Sequence, residues 1–234
     1  MYKEKKILAI IPARGGSKRV VGKNVKRLAG KPLIQYTIDA AKAATFVDRL
    51  VVSTDDNDIA SVSSSLGVEV ISRPEELAQD SSSSMDAYAH AVEFLQEKEN
   101  FVPDIIIALQ PTSPFRDAQD IDGAIKQIID FAADSNESFS PASPHPSYAF
   151  IIDDEENAVP IDPENVEKRT QELPPRYIEN GAIFGFTRAQ VLLKKQYGKI
   201  HKGFIMSAEK AVDIDDELDF AFAELLMAKK RGDN

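Results

Sequence analysis

The sequence contains no cysteine in its 234 residues, which excludes disulfide bonds, thiolate catalysis and cysteine-based zinc sites. It also lacks any apolar run near the ~20 residues that a membrane-spanning helix needs. Its first residues, MYKEKK and a short apolar stretch, do not resemble a signal peptide, which carries a longer hydrophobic region and a cleavage site. The absence of a membrane-spanning run and of a signal peptide predicts a cytoplasmic protein without a membrane partner, whereas the absence of cysteine does not itself identify a compartment.

Basic residues are in the minority. The chain carries 28 Lys and Arg against 38 Asp and Glu, a formal net charge of -10, which excludes a general nucleic-acid binder because such proteins need a basic face. The segment from Lys5 to Ile38 nevertheless holds nine basic residues and no acidic one. This excess indicates either a solvated basic surface or, more specifically, an electropositive pocket for a small polyanion.

What the sequence does contain is an alternation of short apolar runs with amphipathic helical segments. The runs are rich in Val, Ile and Leu, as expected of strands buried on both faces. They extend from Ile7 to Ile11, Leu50 to Ser53, Val68 to Ser72 and Ile105 to Leu109. The alternation predicts one α/β domain over residues 1–234, with a mostly parallel sheet and helices on both faces.

Two helices have a clear apolar period. The first extends from Asp117 to Ala133 and places Ile121, Ala124, Ile125, Ile128, Ile129 and Ala132 on one face. The second, near the C-terminus, is predicted to dock through Leu218, Ala221, Phe222, Leu225 and Leu226. Between the two, residues 138–179 are rich in Pro and acidic residues and lack a helical period, so we expect an inserted arm of extended segments and loops.

The stretch IPARGGSKRVVGKN, residues 11–24, follows the first predicted strand. It fits neither the P-loop pattern nor the G-x-G-x-x-G fingerprint. Its position after a strand of a parallel sheet is nevertheless where such sheets bind ligands. Gly15 and Gly16 would let backbone N–H groups approach a phosphate, and Arg14 and Lys23 would neutralise its charge. The alternative is an ordinary surface turn.

Asp213 and Asp215 form a second candidate site. In a strand, side chains two positions apart emerge on the same face, so the two carboxylates would stand together while Ile214 points into the core. Mg²⁺ is commonly held by one or two carboxylates and by substrate phosphates. The alternative is helix capping, a role that we assign instead to Asp216 and Glu217.

Seven blocks, in order, give the sequence a family resemblance: IPARGGSKRVVGKN, LAGKPLIQYTI, VVSTDD, SRPEELAQDSSSS, LQPTSPFR, ENGAIF and VDIDDELD. Together they resemble the CMP-sialic acid synthetases, or acylneuraminate cytidylyltransferases, from Ile7 to about Ala228. The resemblance implies a Rossmann-like nucleotidyltransferase fold and a homodimer formed through the extended arm. It also implies Mg²⁺ as cofactor and a reaction of CTP with a nine-carbon 2-keto sugar acid that gives a CMP-sugar and pyrophosphate.

The resemblance also implies roles for individual residues. The catalytic residues would be Arg14, Lys23 and Asp215, and the metal ligands Asp213 and Asp215. The nucleotide would be bound by Arg14, Gly16, Ser17, Lys23, Asn24, Arg73 and Ser84. The acceptor would be bound by Gln110, His145, Tyr148, Arg169, Arg176 and Asn180.

The acceptor side departs from the family pattern. The family commonly has a lysine after the His-Pro block and an arginine beside Asn-Gly, whereas this chain has Ser147 and Glu179 in those regions. Arg169 and Arg176 are the expected substitutes. N-acetylneuraminate, legionaminic acid and pseudaminic acid all remain candidate acceptors, with KDO ranked lower. A sugar-1-phosphate nucleotidyltransferase and a non-catalytic nucleotide-binding module are the alternatives.

Overall fold

The computed structural model describes residues 1–232. Its strands are β1 Ile7–Pro12, β2 Arg27–Leu28, β3 Lys31–Pro32, β4 Arg49–Thr54, β5 Glu69–Ser72, β6 Ile105–Leu109, β7 Ser135–Pro141, β8 Phe150–Ile152, β9 Ala158–Pro160, β10 Tyr177–Thr187 and β11 His201–Ile205. Its helices are α1 Leu33–Ala43, α2 Asn57–Ser65, α3 Ser84–Glu99, α4 Ala118–Asp130, α5 Arg188–Leu192 and α6 Glu217–Arg231. All four predicted strands form.

Seven strands make one sheet in the order β11-β7-β10-β6-β1-β4-β5. Neighbouring strands are parallel except around β10, which is antiparallel to both β6 and β7. The predicted mostly parallel, Rossmann-like sheet is therefore confirmed. The carboxyl ends of β1, β4, β5 and β6 lie at one edge, where an open α/β sheet binds its ligands.

The core lies on both faces of this sheet. Ile7, Ala9 and Ile11 of β1 pack in one cluster with residues of α1, α2 and α4. Leu8 and Ile10 pack in the other, with residues of α3 and α5. Because alternate strand residues point to opposite faces, a continuous apolar run is what a two-sided core requires.

Helix α4 follows its predicted pattern and α6 does not. Asp117 caps α4, and Ile121 and Ile128 are buried as expected. The helix ends at Asp130, before the predicted end at Ala133, so Ala132 lies outside it and is exposed. In α6 the helix forms, but most of the predicted docking face was wrong. Leu218, Phe222 and Leu225 are 79%, 51% and 66% exposed. Of the predicted residues Leu226 does pack, on a face that is built mainly on Phe220 and Ala223.

The inserted arm is shorter than the predicted 138–179. Residues 138–141 belong to β7 and residues 177–179 to β10, which leaves residues 142–176 between the two strands. That segment contains the β8–β9 hairpin, whose register pairs Phe150 with Pro160. Within residues 1–232, no helix has the length and apolar character that crossing a membrane requires.

Candidate nucleotide-binding and catalytic site

The loop after β1 depends on two glycines. The backbone N–H of Gly15 donates to Asp55 Oδ1 at 3.0 Å, and a Cβ at Gly15 would lie 2.9 Å from Asp56 Oδ2. Gly16 has φ +65°, a left-handed conformation that glycine adopts without steric cost. These constraints bring the loop against the residues that follow β4 and direct its cationic side chains toward the carboxyl edge of the sheet.

Two cations of this loop meet one carboxylate. Arg14 Nη1 donates to Asp80 Oδ1 at 2.7 Å, and Lys18 Nζ donates to the other oxygen of Asp80. These hydrogen bonds, first from Lys18 and then from Arg14, lower the pKa of Asp80. In this structure Asp80 therefore occupies part of the cationic surface that was predicted to bind phosphate.

Lys23 lies deeper, with 14% of its side chain exposed. Its ammonium donates to the Ile214 carbonyl at 2.8 Å and lies 3.4 Å from Asp215 Oδ1. Arg19 Nη1 lies 3.4 Å from the second oxygen of Asp215. The glycine loop and the carboxylate pair, separated by about 190 residues in sequence, thus form one site.

Asp213 and Asp215 do not lie in a strand, contrary to the prediction, but their geometry follows the predicted alternation. The Ile214 N–H donates to the Thr112 carbonyl at 2.9 Å, and the Ile214 side chain is fully buried. Both flanking carboxylates line the same cleft. Partial burial, and then the neighbouring charge of Asp215, raise the pKa of Asp213.

This donor set fits Mg²⁺. Two carboxylates face one cleft, and Asp213 makes no ion pair with any described residue within 4.0 Å. No three His, Asp or Glu side chains among residues 1–232 gather into a metal cluster. Mg²⁺ often takes only one or two carboxylates from the protein and the remaining oxygens from phosphate and water. Asp213 and Asp215 are therefore sufficient as protein ligands.

Arg73 and Asn24 are buried beside the loop. Arg73 donates through Nε to Ser53 Oγ at 3.1 Å and through Nη2 to the Ser53 carbonyl at 2.7 Å, and its burial lowers its pKa. Asn24 donates to the Arg14 carbonyl at 3.1 Å, while its buried Oδ1 has no hydrogen-bond partner. Asn24 therefore holds the loop in place.

Three adjoining clefts open at the carboxyl edge of the sheet. The first, about 590 Å³, is lined by residues that include Arg14, Ser17, Lys23, Asn24, Gln110, Asp213 and Asp215. The second, about 290 Å³, is lined by residues that include Arg14, Arg73, Ser84 and Gln110. The third, about 260 Å³, is lined by residues that include Ser84, Tyr88, Gln110, Glu179 and Phe184. Gln110 lines all three clefts, and its position between nucleotide and acceptor stays a prediction.

Five of the six predicted acceptor-binding residues, all except Gln110, line none of these three clefts. His145 and Tyr148 are engaged within the arm, His145 Nε2 with the Pro174 carbonyl at 3.0 Å and the Tyr148 hydroxyl with the Lys168 carbonyl at 2.7 Å. Arg169 and Arg176 are exposed on the same segment. Within one chain, the structure does not bring these side chains to Gln110.

Asn180 is also committed to structure. Its amide oxygen accepts from Ser138 Oγ and from the Ala182 N–H, and its Nδ2 donates to Ser140 Oγ at 2.8 Å. These contacts fix the irregularity in the β7–β10 pairing, which falls between Glu179 and Phe184. Asn180 therefore shapes the strand end rather than offering its amide to a ligand.

Sequence reasoning missed Asp80, Tyr88 and Thr112 at the clefts. Tyr88 accepts a hydrogen bond from Gln110 Nε2 at 3.2 Å, and its burial raises its pKa to about 12. It falls on the apolar period of α3, which conceals it as a core residue. Asp80 has a weak sequence signal, since it lies in the block SRPEELAQDSSSS, one of the seven that carry the family resemblance.

The glycine loop, the carboxylate pair and the position of the clefts define an α/β nucleotide-binding protein of the nucleotidyltransferase class. The chain belongs to the cytidylyltransferase family, because the family model with that description matches residues 8–231. The "CMP-N,N'-diacetyllegionaminic acid synthase" of Legionella pneumophila is 39% identical over 95% of this chain and 96% of its own length.

The "N-acylneuraminate cytidylyltransferase" of Escherichia coli O18:K1:H7 is 34% identical over 96% of this chain and 53% of its own length. This chain thus spans about half of that relative. Among solved structures, a CMP:2-keto-3-deoxy-manno-octonic acid synthetase complexed with CTP superposes with a TM-score of 0.74 at 21% identity, covering 96% of this chain and 99% of the other. That likeness supports the fold.

Proposed function

We propose that this protein transfers the cytidylyl group of CTP to the anomeric hydroxyl of a nine-carbon 2-keto sugar acid. One observation carries the proposal. Arg14 and Lys23 share a cleft with Asp213 and Asp215, and that cleft adjoins a second one through Arg14 and Gln110. The arrangement offers cations for a triphosphate, carboxylates for a metal ion and a neighbouring space for a nucleoside.

In this proposal the triphosphate lies along the glycine loop. Arg14, Lys18 and Lys23 supply positive charge, and backbone N–H groups at Gly16 and Ser17 supply hydrogen bonds of the kind that loops use to cradle phosphate. Arg73 and Ser84 line the second cleft, which would receive the cytidine. These assignments agree with those that the resemblance implies.

Asp213 and Asp215 would hold Mg²⁺ against the phosphate oxygens. A bound Mg²⁺ supplies charge neutralisation at a phosphoryl centre. Lys23 contacts Asp215 and lies in the same cleft, so its charge would help to hold the carboxylate and to stabilise the leaving pyrophosphate. Phosphoryl-type transfer requires mainly positioning and electrostatic stabilisation from a protein.

The chemical step forms one bond and breaks one bond. The anomeric oxygen of the acceptor bonds to the α-phosphorus of CTP, and the bond between that phosphorus and the β-bridging oxygen breaks. The hydroxyl proton leaves to solvent or phosphate, and pyrophosphate departs with the electron pair of the broken bond. We expect Gln110 to orient the acceptor, and the support is that it lines the first, second and third clefts.

The named relatives support a sialic or legionaminic type of acceptor, since they are an acylneuraminate cytidylyltransferase and a diacetyllegionaminic acid synthase. We also propose a cytoplasmic homodimer. Its support is the arm, where Phe150, Ile151 and Ile152 are 47%, 59% and 63% exposed, because contiguous exposed apolar surface marks protein contacts.

The deciding experiment measures pyrophosphate release from CTP with Mg²⁺ across N-acetylneuraminate, legionaminic acid, pseudaminic acid and KDO. Parallel reactions replace CTP with ATP, GTP or UTP, and each product is analysed for a monophosphate or a diphosphate link. Release with CTP and a sugar acid, with a monophosphate-linked product, is the expected result. CTP binding without release from any acceptor would contradict the proposal and favour a non-catalytic module.

A further inference from the structure

Arg116 is a buried cation that none of the three clefts includes. It is 3% exposed and lies between the loop that follows β6 and Asp117, the cap of α4. Its Nε and Nη2 have no hydrogen-bond partner, and burial lowers its pKa to about 9. Burying a charge with unpaired donors is costly, and an apolar side chain of similar volume would often be more stable. Packing alone does not account for this residue.

The one satisfied nitrogen of Arg116 joins two strand ends. Nη1 donates to the Gln110 carbonyl at 3.1 Å and to the Ala182 carbonyl at 2.7 Å. The antiparallel pairing of β6 with β10 ends at Leu109 and Ile183, so Gln110 and Ala182 are the next residues on each side. The guanidinium thus bridges the two strands beyond the point where their own pairing stops.

Each bridged carbonyl belongs to a segment that faces the site. Gln110 lines the first, second and third clefts, and its side chain donates to Tyr88. The residue before Ala182 is Gly181, where a Cβ would lie 3.4 Å from Asp213 Oδ2. Arg116 therefore connects the segment that carries Gln110 to the segment that backs the proposed metal ligand.

We propose that Arg116 is a positioning residue for the transfer reaction, which holds Gln110 and the Gly181–Ala182 backbone at a fixed separation. The inference rests on the proposed function. The acceptor contact at Gln110 and the metal contact at Asp213 must be correctly spaced when the hydroxyl approaches the α-phosphorus. Small misplacements of reacting groups reduce rate more than affinity.

The test compares Arg116→Met, which removes the donors at similar length, with Arg116→Lys, which keeps a positive donor. Arg27→Met is the matched control, because Arg27 also donates to a backbone carbonyl, that of Gly30 at 2.8 Å, but is exposed and away from the clefts. Steady-state kcat, acceptor KM, calorimetric CTP Kd and melting temperature are measured for each variant.

We expect Arg116→Met to lower kcat about 10- to 100-fold, in line with the cost of misplaced reacting groups, while CTP Kd changes less than about threefold because the phosphate cations are untouched. Arg116→Lys should recover part of kcat, and Arg27→Met should match wild type. Wild-type kcat in Arg116→Met would overturn the proposal. So would losses of kcat, CTP affinity and melting temperature in parallel, which indicate a purely structural role.

If Arg116→Met fails to fold, Arg116→Lys decides between these outcomes. Wild-type kcat in Arg116→Lys, or parallel losses of kcat, CTP affinity and melting temperature, also overturns the proposal. Failure of the proposed function would be recognised separately, because the wild-type protein itself would then release no pyrophosphate with any acceptor. A defect confined to the Arg116 variants concerns only the positioning role.

Discussion

Arg14 and Asp80 form an ion pair, with 2.7 Å between Nη1 and Oδ1, and 43% and 54% of their side chains exposed. Lys18 reaches the second oxygen of the same carboxylate. Exposed pairs of this kind contribute only about 0.2–1 kcal/mol, so a triphosphate with several negative charges would readily replace Asp80. The carboxylate holds the cations in place without closing the site.

We therefore expect Asp80→Asn to tighten CTP binding about two- to tenfold at low salt, which corresponds to the removal of exposed ion pairs from the unliganded protein. Calorimetric titration with CTP at two salt concentrations measures the effect, which should shrink at the higher one. Asp39→Asn is the control, because Asp39 pairs with Lys31 at 3.0 Å away from the clefts. Weaker CTP binding in Asp80→Asn would show that Asp80 contacts the nucleotide or its metal ion.

The adjacent residues Asp215 and Asp216 should separate catalysis from stability. Asp215→Ala is expected to lower turnover by about 100-fold or more, because it removes a proposed Mg²⁺ ligand, and to leave the fold intact. Asp216 accepts hydrogen bonds from the Leu218 and Asp219 N–H groups, so Asp216→Ala should cost about 1 kcal/mol of stability with little loss of turnover. Pyrophosphate release over a Mg²⁺ titration and thermal melting measure both. Wild-type turnover in Asp215→Ala would refute the metal assignment.

The sequence predicted those elements whose burial is indicated by the apolar pattern of their own residues. The runs that became β1, β4 and β6 are apolar at nearly all successive positions, and the run that became β5 is interrupted only by Glu69. Such runs are typical of a sheet covered on both faces. The docking face of α6 was mispredicted because the helix sequence is apolar on more than one face. Phe220 and Ala223 are buried by contacts with Val20, Leu28 and Phe115, which are remote in the chain and leave no periodic signal.

The same distinction holds at the site. Arg14, Gly16 and Lys23 could be found because a short segment carries them together. Asp80 and Arg116 acquire their roles from partners far along the chain, Arg14 and Ala182, and a linear pattern does not record such pairings. Asn180 is the opposite case. The family resemblance predicts that it binds the acceptor, whereas in the structure its amide is hydrogen-bonded to Ser138 and Ser140.

The proposed dimer depends on the arm, and a single charge should disrupt it. Ile152 in the β8–β9 hairpin is 63% exposed, and Ile152→Glu is expected to shift the protein from dimer to monomer in sedimentation velocity runs, because a charge buried in an apolar contact is costly. The control is Leu225→Glu on α6, where the side chain is 66% exposed. A monomeric wild type would contradict the arm dimer, and dissociation by Leu225→Glu alone would place the interface on α6.

Glu137 should make stability depend on pH. The residue is 4% exposed, its Oε2 lacks a hydrogen-bond partner, and burial raises its pKa above 4.5 in spite of a hydrogen bond with Gln196. A carboxyl whose pKa is raised by folding binds more protons in the folded than in the unfolded state at pH values around and between its two pKa values. The free energy of unfolding therefore falls as pH rises from the pKa of Glu137 in the unfolded state through its pKa in the folded state.

Glu137→Gln removes this contribution, so the melting temperature of the variant should fall less steeply than that of wild type as pH rises from about 4.5, and should exceed it near neutrality. His201 should contribute a pH dependence of stability of the opposite sign. Its Nε2 lies 4.0 Å from Glu137 Oε2, and burial lowers its pKa, so its contribution is lost as pH falls below 6.5. His201→Gln should therefore make the fall with rising pH steeper. Identical melting profiles for Glu137→Gln and wild type would mean that the carboxyl is ionised without cost in the folded protein.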